Sequence, residues 1–291
     1  MPSLKEVRSR ITSVHSTRQI TSAMKMVSAA KLKKAQDAIV QMRPFAEKLT
    51  EILSNLSASL DGAESSFSTE RSGNRILLVA FTSNRGLCGA FNAQIIRKVR
   101  AEIEANPENE YSIVGVGKKA YEAYKKTSYK VDEEVLPAEF NALYDNVNFD
   151  STAQAAQQII QAYVDGHFDK VYLLYNQFKN AAVQLPQMEA FLPIVPPTEQ
   201  EASSSVDYLF EPNKEDILED LIPRALKTQF FKALLDSNAS EHGARMTAMH
   251  KATDNASDLL KELKLTYNKA RQAAITKEIL EISAGAEALA D

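Results

Sequence analysis

Residues 32–60, LKKAQDAIVQMRPFAEKLTEILSNLSASL, place Leu32, Ala35, Ile39, Met42, Ala46, Leu49, Leu53, Leu56 and Leu60 at alternating spacings of three and four. That alternation is the seam of a coiled coil. Pro44 lies inside the pattern without shifting its phase, so only a mild kink is expected there. Upstream, Leu4, Val7, Ile11 and Val14 keep the same rhythm. Arg18, Lys25 and Lys31 interrupt it, so the seam is expected to degrade between the two apolar stretches. Ser3 with Glu6 three residues on fits a capping box. Residues 4–60 contain no glycine, and as one helix they would span about 85 Å.

The other end of the chain repeats the theme. No proline occurs from Arg224 to Asp291. Met249, Ala252, Ala256, Leu259, Leu263, Thr266, Ala270 and Ala273 again alternate by three and four. A second phase, Ile275, Ile279, Ile282, Ala286 and Leu289, takes over at the end. A helix over 214–284 would span about 105 Å. Neither helix can fold back inside a compact domain, so each must pair with the other, with a partner, or both.

Between the helices the pattern changes. Arg75–Phe81, Tyr111–Val116 and Lys170–Tyr175 read as short buried strands, and 90–105, 118–126 and 152–164 as helices. Alternating strand and helix predicts a small, largely parallel, Rossmann-like α/β sheet. Ser-, Gly- and Glu-rich residues 61–74 and the Pro193, Pro196, Pro197 and Ser203–Ser205 cluster mark its linkers. The organisation expected is an N-terminal coiled-coil helix over 1–60, an inserted α/β domain over 72–206 and a C-terminal coiled-coil helix over 207–291. The fold class is α/β plus long α, with the terminal helices antiparallel.

Composition narrows the function. The 291 residues carry a formal net charge of −4 with 25% charged side chains, an ordinary folded composition. The first 50 hold ten basic side chains against three acidic, a net +7. Such a basic helix could face nucleic acid, anionic lipid or an acidic protein surface, or be a solvated face. Nine glycines, about 3% against the usual ~7%, agree with long uninterrupted helices. No apolar run reaches the about 18 residues of a membrane span. The start, MPSLKEVRSR, lacks a signal-peptide core.

Catalytic patterns are scarce. The Thr82–Gly89 turn lacks both the dinucleotide and the P-loop spacing, and Gly115-Val-Gly-Lys-Lys119 has the wrong spacing for either. His15, His167, His242 and His250 form no metal-ligand motif. Cys88 is the lone cysteine, which excludes an internal disulfide; beside Arg85 it could be a reactive thiol, but a small residue packing a turn is the simpler reading. No nucleophile–base–orienter set is visible. Two readings remain open on these residues. One is a nucleotide- or acid-binding α/β enzyme with helical arms used for dimerisation. The other is a nucleic-acid clamp, weakened because residues 1–44 lack interleaved aromatics.

Four segments carry a resemblance. They are Ile20–Gln36 (ITSAMKMVSAAKLKKAQ), Asn84-Arg-Gly-Leu-Cys-Gly89, Asp207-Tyr-Leu-Phe-Glu-Pro212, and the C-terminal run through Ser240–Met249, Ala252–Ala256 and Leu265–Ile282. In this order they closely resemble the gamma subunit of the F-type ATP synthase, bacterial type, over nearly the whole chain. Asn84 stands where that family often has Asp.

The resemblance implies a central-stalk rotor of a proton-translocating ATP synthase, not itself catalytic and holding no cofactor or metal. It would turn inside a ring of alpha and beta subunits and rest below on the c-ring and the epsilon subunit. Carried over by position, Met24 and Lys25 would face the acidic lever loop of a beta subunit, with Cys88 in a turn near it. Arg271, Gln272 and Thr276 would meet a beta loop. Ile279, Ile282 and Leu289 would ride in an apolar sleeve, and Tyr208 and Glu211 would form the foot on the c-ring and epsilon. No nucleic-acid partner is implied. The place expected is the cytoplasmic side of the inner membrane, peripheral through the complex.

Overall fold

The computed structural model describes residues 3–58, 67, 71, 73–194 and 214–287. Its elements are α1 (Leu4–Ala58), β1 (Arg75–Phe81), α2 (Phe91–Ala105), β2 (Glu110–Val116), α3 (Lys118–Tyr124), a 3-10 turn (Asn141–Tyr144), α4 (Phe149–Val164), β3 (Lys170–Phe178), β4 (Gln184–Leu192) and α5 (Lys214–Glu287). The chain divides into two compact units. A terminal unit joins Met1–Ser28 to Met246–Asp291, and a central unit runs from Ala29 to Arg245.

In the central unit the strands order β2-β1-β3-β4. β1 pairs parallel with β2 (Leu78 opposite Ile113) and with β3 (Leu78 opposite Tyr172). β4 closes the sheet antiparallel to β3 (Leu174 opposite Met188). The sequence reading missed β4, and the reason is chemical. Its residues, QLPQMEAFL, are interrupted by Gln184, Gln187 and Glu189 and include Pro186, the composition of an edge strand rather than a buried one. β1 is buried on both faces because alternate side chains feed two separate cores. Leu77, Val79 and Phe81 pack with Ile159 and Ile160 of α4 and with Leu226 and Phe230 of α5. Ile76, Leu78 and Ala80 pack with Ile95 and Val99 of α2 and Tyr124 of α3.

Two local devices fix this sheet. Asp169, just before β3, accepts from the Arg75 guanidinium at 2.9 and 3.1 Å and from the Arg75 backbone N–H at 3.0 Å, tying the starts of β1 and β3. Gly117 sits at φ +108°, where an added Cβ would meet the Thr82 carbonyl oxygen. That close approach lets Thr82 Oγ1 accept from the Ala120 N–H at 2.8 Å and secure the first turn of α3.

α1 and α5 also belong to this unit over part of their length. Leu32, Ala35, Ile39, Ala46 and Leu49 of α1 are buried, on the seam expected for them. Arg43 reaches Asp236 of α5 at 3.7 Å. Both helices continue through their prolines, Pro44 and Pro223.

In the terminal unit the two helices run antiparallel. Thr21 and Thr253 share a hydroxyl hydrogen bond of 2.9 Å, and one turn along Lys25 Nζ lies 3.5 Å from His250 Nδ1. The inward face of α1 is Leu4, Val7, Ile11, Val14, Arg18, Thr21, Lys25 and Ser28. Its steps of three and four never break, so the seam does not degrade; it changes chemistry from apolar to polar. Arg18 and Lys25 lie half-buried on it, whereas Lys31 is exposed beside it. Long basic side chains occupy seam positions by laying their methylene stems along the neighbouring helix.

The α5 seam also differs from expectation. The inward positions are Met249, Thr253, Ala256, Leu260, Leu263, Tyr267, Ala270 and Ala274. Leu259, Thr266 and Ala273 face solvent instead. Leu259-Leu260, Thr266-Tyr267 and Ala273-Ala274 are doublets in which either member satisfies the spacing. The rotation of α5 about its own axis, set by pairs such as Thr21–Thr253, selects the second member.

Candidate functional site

Three regions collect the residues singled out above. The first is the exposed end of α5. In the register set by Thr21–Thr253, Leu4 at the start of α1 lies level with about residue 270 of α5. Past that point α5 runs on without α1 beside it. Arg271 and Gln272 are exposed, and so is Thr276, whose hydroxyl donates to the Gln272 carbonyl at 2.9 Å. Ile275, Ile279, Leu280 and Ile282 are exposed as well, Ile282 by 73%. Over this stretch the large apolar side chains face outward instead of packing into a core. Leu289 lies outside the described residues, as do Tyr208 and Glu211.

The second region is the polar seam. Met24 and Lys25 are half-buried at neighbouring positions of α1. Lys25 approaches His250, which lies 3.3 Å from Asp254 one turn on. Ile20, Met26 and Val27 point away from the seam and are exposed, so this stretch of α1 has an apolar outer face as well as basic side chains.

The third region is the turn after β1. Cys88 is 1% exposed; Asn92 Nδ2 donates to its sulfur at 3.2 Å, and the Ser83 hydroxyl lies 3.6 Å from it. The thiol therefore packs the turn from within. Its neighbour Leu87 holds a left-handed φ of +65° and is 66% exposed. A leucine in that conformation is strained, and strain of this kind concentrates where the backbone is over-determined by its surroundings. The Ser83 hydroxyl donates to the Arg85 carbonyl at 2.6 Å, and Asn84 donates to the Asn141 carbonyl at 2.9 Å. From α5, Arg245 Nη2 donates to the carbonyls of Arg85 and Gly86 at 3.0 and 3.4 Å.

Arg245 was not singled out from the sequence. It is buried, and so is Glu241 one turn before it, with which it forms an ion pair. Burial pushes the Glu241 carboxyl up and Arg245 pulls it down. The signal was present as a Glu and an Arg four residues apart. An exposed helix face produces the same spacing, so the spacing alone does not identify a buried clamp.

Beside this pair, burial lowers the His242 pKa from 6.5 to about 4, helped by Arg245 and Lys31. The folded chain therefore holds this ring neutral where an unfolded chain would protonate it. The resulting stability is present above about pH 6.5 and is lost as the pH falls toward 4, to the extent of about 3 kcal/mol. Glu241 acts in the opposite direction, since its raised pKa favours the folded state on acidification. Denaturant unfolding at pH 7.5 and pH 4.5 is expected to show a smaller acid loss for His242→Gln than for the parent. Equal losses in the two would contradict this account.

Among the described residues no group of three His, Cys, Asp or Glu side chains could hold a metal ion. No described helix is long and apolar enough to cross a membrane.

Comparison with known proteins bears on what these surfaces serve. The family described as ATP synthase matches residues 3–289. The ATP synthase gamma chain of Flavobacterium johnsoniae is 56% identical over 290 residues, covering 99% of each chain. That of Cytophaga hutchinsonii is 53% identical over 298 residues, again covering 99% of each. Among solved structures, a chain of the central stalk and c-ring of the Tetrahymena thermophila mitochondrial ATP synthase is 28% identical, with a TM-score of 0.61, covering 80% of this chain and 99% of that one. A chain from the Euglena gracilis mitochondrial ATP synthase is 22% identical with a TM-score of 0.68, covering 98% of this chain and 94% of that one, a likeness of fold. Two long helices bracketing a small sheet, with a match of this extent from end to end, lead to one assignment: the chain belongs to the ATP synthase gamma-chain family.

Proposed function

We propose that this chain is the central-stalk rotor of a proton-translocating F-type ATP synthase. It carries torque between a membrane c-ring and the catalytic beta subunits and makes or breaks no bond itself. The observation that carries this reading is α5. It is one helix from Lys214 to Glu287, bedded against the sheet through Leu226 and Phe230, paired with α1 along Thr253 and Leu260, and unaccompanied at its end. A helix gripped at one part and exposed at another conveys twist; a catalyst has no need of it.

An asymmetric shaft inside a threefold ring touches each beta subunit differently. It shifts their conformational populations only by the difference between those contacts. On this reading Arg271, Gln272 and Thr276 meet a beta loop, and Ile279, Ile282 and Leu289 run in an apolar sleeve. Met24 and Lys25 face an acidic beta lever, to which the Cys88 turn presents Leu87. Tyr208 and Glu211 form the foot on epsilon and the c-ring. The complex holds the chain at the cytoplasmic face of the inner membrane.

The test is co-expression with the alpha, beta and epsilon subunits and the c-ring of the same enzyme, reading co-purification and ATP synthesis in vesicles. The chain is expected in the complex, and the complex without it is expected to lose coupled synthesis. A complex that assembles and synthesises ATP without this chain would refute the reading. Within that assembly, Gln272→Leu removes one polar interfacial contact of about 1 kcal/mol, so coupled synthesis should fall roughly five-fold. Nucleotide binding by beta should stay unchanged. A synthesis rate equal to that of the parent would remove Gln272 from the interface.

A further inference from the structure

The turn after β1 ends in an exposed tip. Arg85, Gly86 and Leu87 face solvent, and a Cβ added at Gly86 would meet nothing within 4 Å. Leu87 combines a φ of +65° with 66% exposure, so its side chain gains no burial in return for a conformation that leucine disfavours. Without restraint the backbone would relax to negative φ, and Leu87 would swing to another direction.

The restraint comes from inside the fold. The Arg85 carbonyl accepts from the Ser83 hydroxyl at 2.6 Å and from Arg245 Nη2 at 3.0 Å. Asn84 donates to the Asn141 carbonyl at 2.9 Å and accepts from the Lys118 N–H at 3.0 Å. Among these donors only Arg245 also reaches the Gly86 carbonyl, at 3.4 Å. That carbonyl belongs to the peptide plane that carries the Leu87 N–H, so its orientation sets one side of the Leu87 φ. The opposite edge of the guanidinium, through Nη1, pairs with Glu241. Glu241 therefore decides which edge faces the turn. Apolar residues of similar volume often replace such a buried pair without loss of stability, so what the pair adds here is direction.

We propose that Arg245 is a positioning residue of the rotor: through the Arg85 and Gly86 carbonyls it holds Leu87 outward, in the strained conformation in which that side chain meets a beta subunit. This role rests on the rotor reading, in which the turn lies at the beta lever. Leu87 makes the contact, and Arg245 acts only through it. A planar guanidinium serves a carboxylate on one edge and carbonyls on the other, whereas a lysine ammonium is a point charge that can keep Glu241 company but lacks the fork. Because the tip is ordered before contact, the ordering cost is not met again at each encounter with a beta subunit.

The experiment is a double-mutant cycle in the assembled complex with Leu87→Ala, Arg245→Lys and the two together. ATP synthesis in vesicles is read per assembled complex, well below the unfolding temperature of every variant. Leu87→Ala should lower synthesis about five-fold and Arg245→Lys about three-fold. With Leu87 already truncated, Arg245→Lys should change the rate by less than about 1.5-fold, because its effect passes through the missing side chain. A role in stability alone would leave the folded Arg245→Lys complex at the parent rate, and that result would overturn the proposal. So would a combined loss near the full product, about fifteen-fold, which would mean that Arg245 acts by another route. Leu87→Ala alters an exposed side chain and so tests the tip even if Arg245→Lys does not fold; synthesis unchanged by Leu87→Ala would also overturn the proposal. A parent chain that supports no synthesis refutes the rotor reading and this role with it. A parent that supports synthesis, beside a Leu87→Ala complex that does so equally, refutes this role alone.

Discussion

Arg245→Ala is expected to destabilise the chain by about 3–5 kcal/mol, because it leaves Glu241 as an uncompensated buried charge. The side chains of the pair are only 10% and 9% exposed, so water cannot replace the lost partner. The same guanidinium serves the carbonyls of Arg85 and Gly86, which would also lose a charged donor. The damage should spread beyond α5. The turn from Asn84 to Gly89 is held open by Arg245 on one side and by Ser83 and Asn84 on the other. Amide exchange in residues 84–89 should therefore accelerate in the variant under conditions where β1 stays protected. A second variant separates charge from packing. Arg245→Met with Glu241→Gln removes both charges while nearly conserving volume, and it should lose clearly less stability than Arg245→Ala alone. If the two variants unfold at the same denaturant concentration, the buried charge is not the source of the effect.

That clamp also marks where sequence reasoning stops. Long helices were legible because their seam is a one-dimensional signal: Leu32, Ala35, Ile39, Ala46 and Leu49 recur at fixed spacing and all lie buried. β1, β2 and β3 were legible because strands buried on both faces are short apolar runs. β4 was not, since it is interrupted by Gln184, Gln187 and Glu189 and carries Pro186. Within α5 the seam was displaced by one residue at each doublet, because spacing determines the period of a buried stripe and not its rotation about the helix axis. Only a cross-helix pair such as Thr21–Thr253 supplies that angle. In the same way, Asp236 and Arg43 are separated by 193 positions, and no local pattern joins them. The exposed tail of α5 was readable as apolar residues in a second phase, Ile275, Ile279 and Ile282. Its exposure depends on where α1 begins, which is a property of the pairing and not of the tail.

Phe230→Ala is the second large effect expected, about 3–5 kcal/mol, and it tests how α5 is joined to the sheet. Phe230 is 0% exposed, with its ring centre 5.2 Å from that of Phe81 on β1 and 6.0 Å from that of Phe191 on β4. These three rings from three elements make a contact that a smaller neighbour cannot close over, so truncation leaves a cavity whose lining loses its dispersion partners. Around Phe230, Leu226, Ala233 and Leu234 are also buried in the same core, so the helix is gripped along several turns. If α5 is the shaft of a rotor, this core is the joint through which torque passes from the sheet to the shaft. A joint loosened by a cavity permits α5 to roll by a rotamer's breadth before the sheet follows. Phe230→Leu keeps most of the volume and should lose only about 1.5 kcal/mol or less. Both variants should assemble with the partner subunits well below their unfolding temperatures. Measured there, the synthesis rate per unit of ATP hydrolysis should fall in the order parent, Leu, Ala. A stability loss in that order with unchanged coupling would assign Phe230 to folding alone and place the mechanical joint elsewhere along α5.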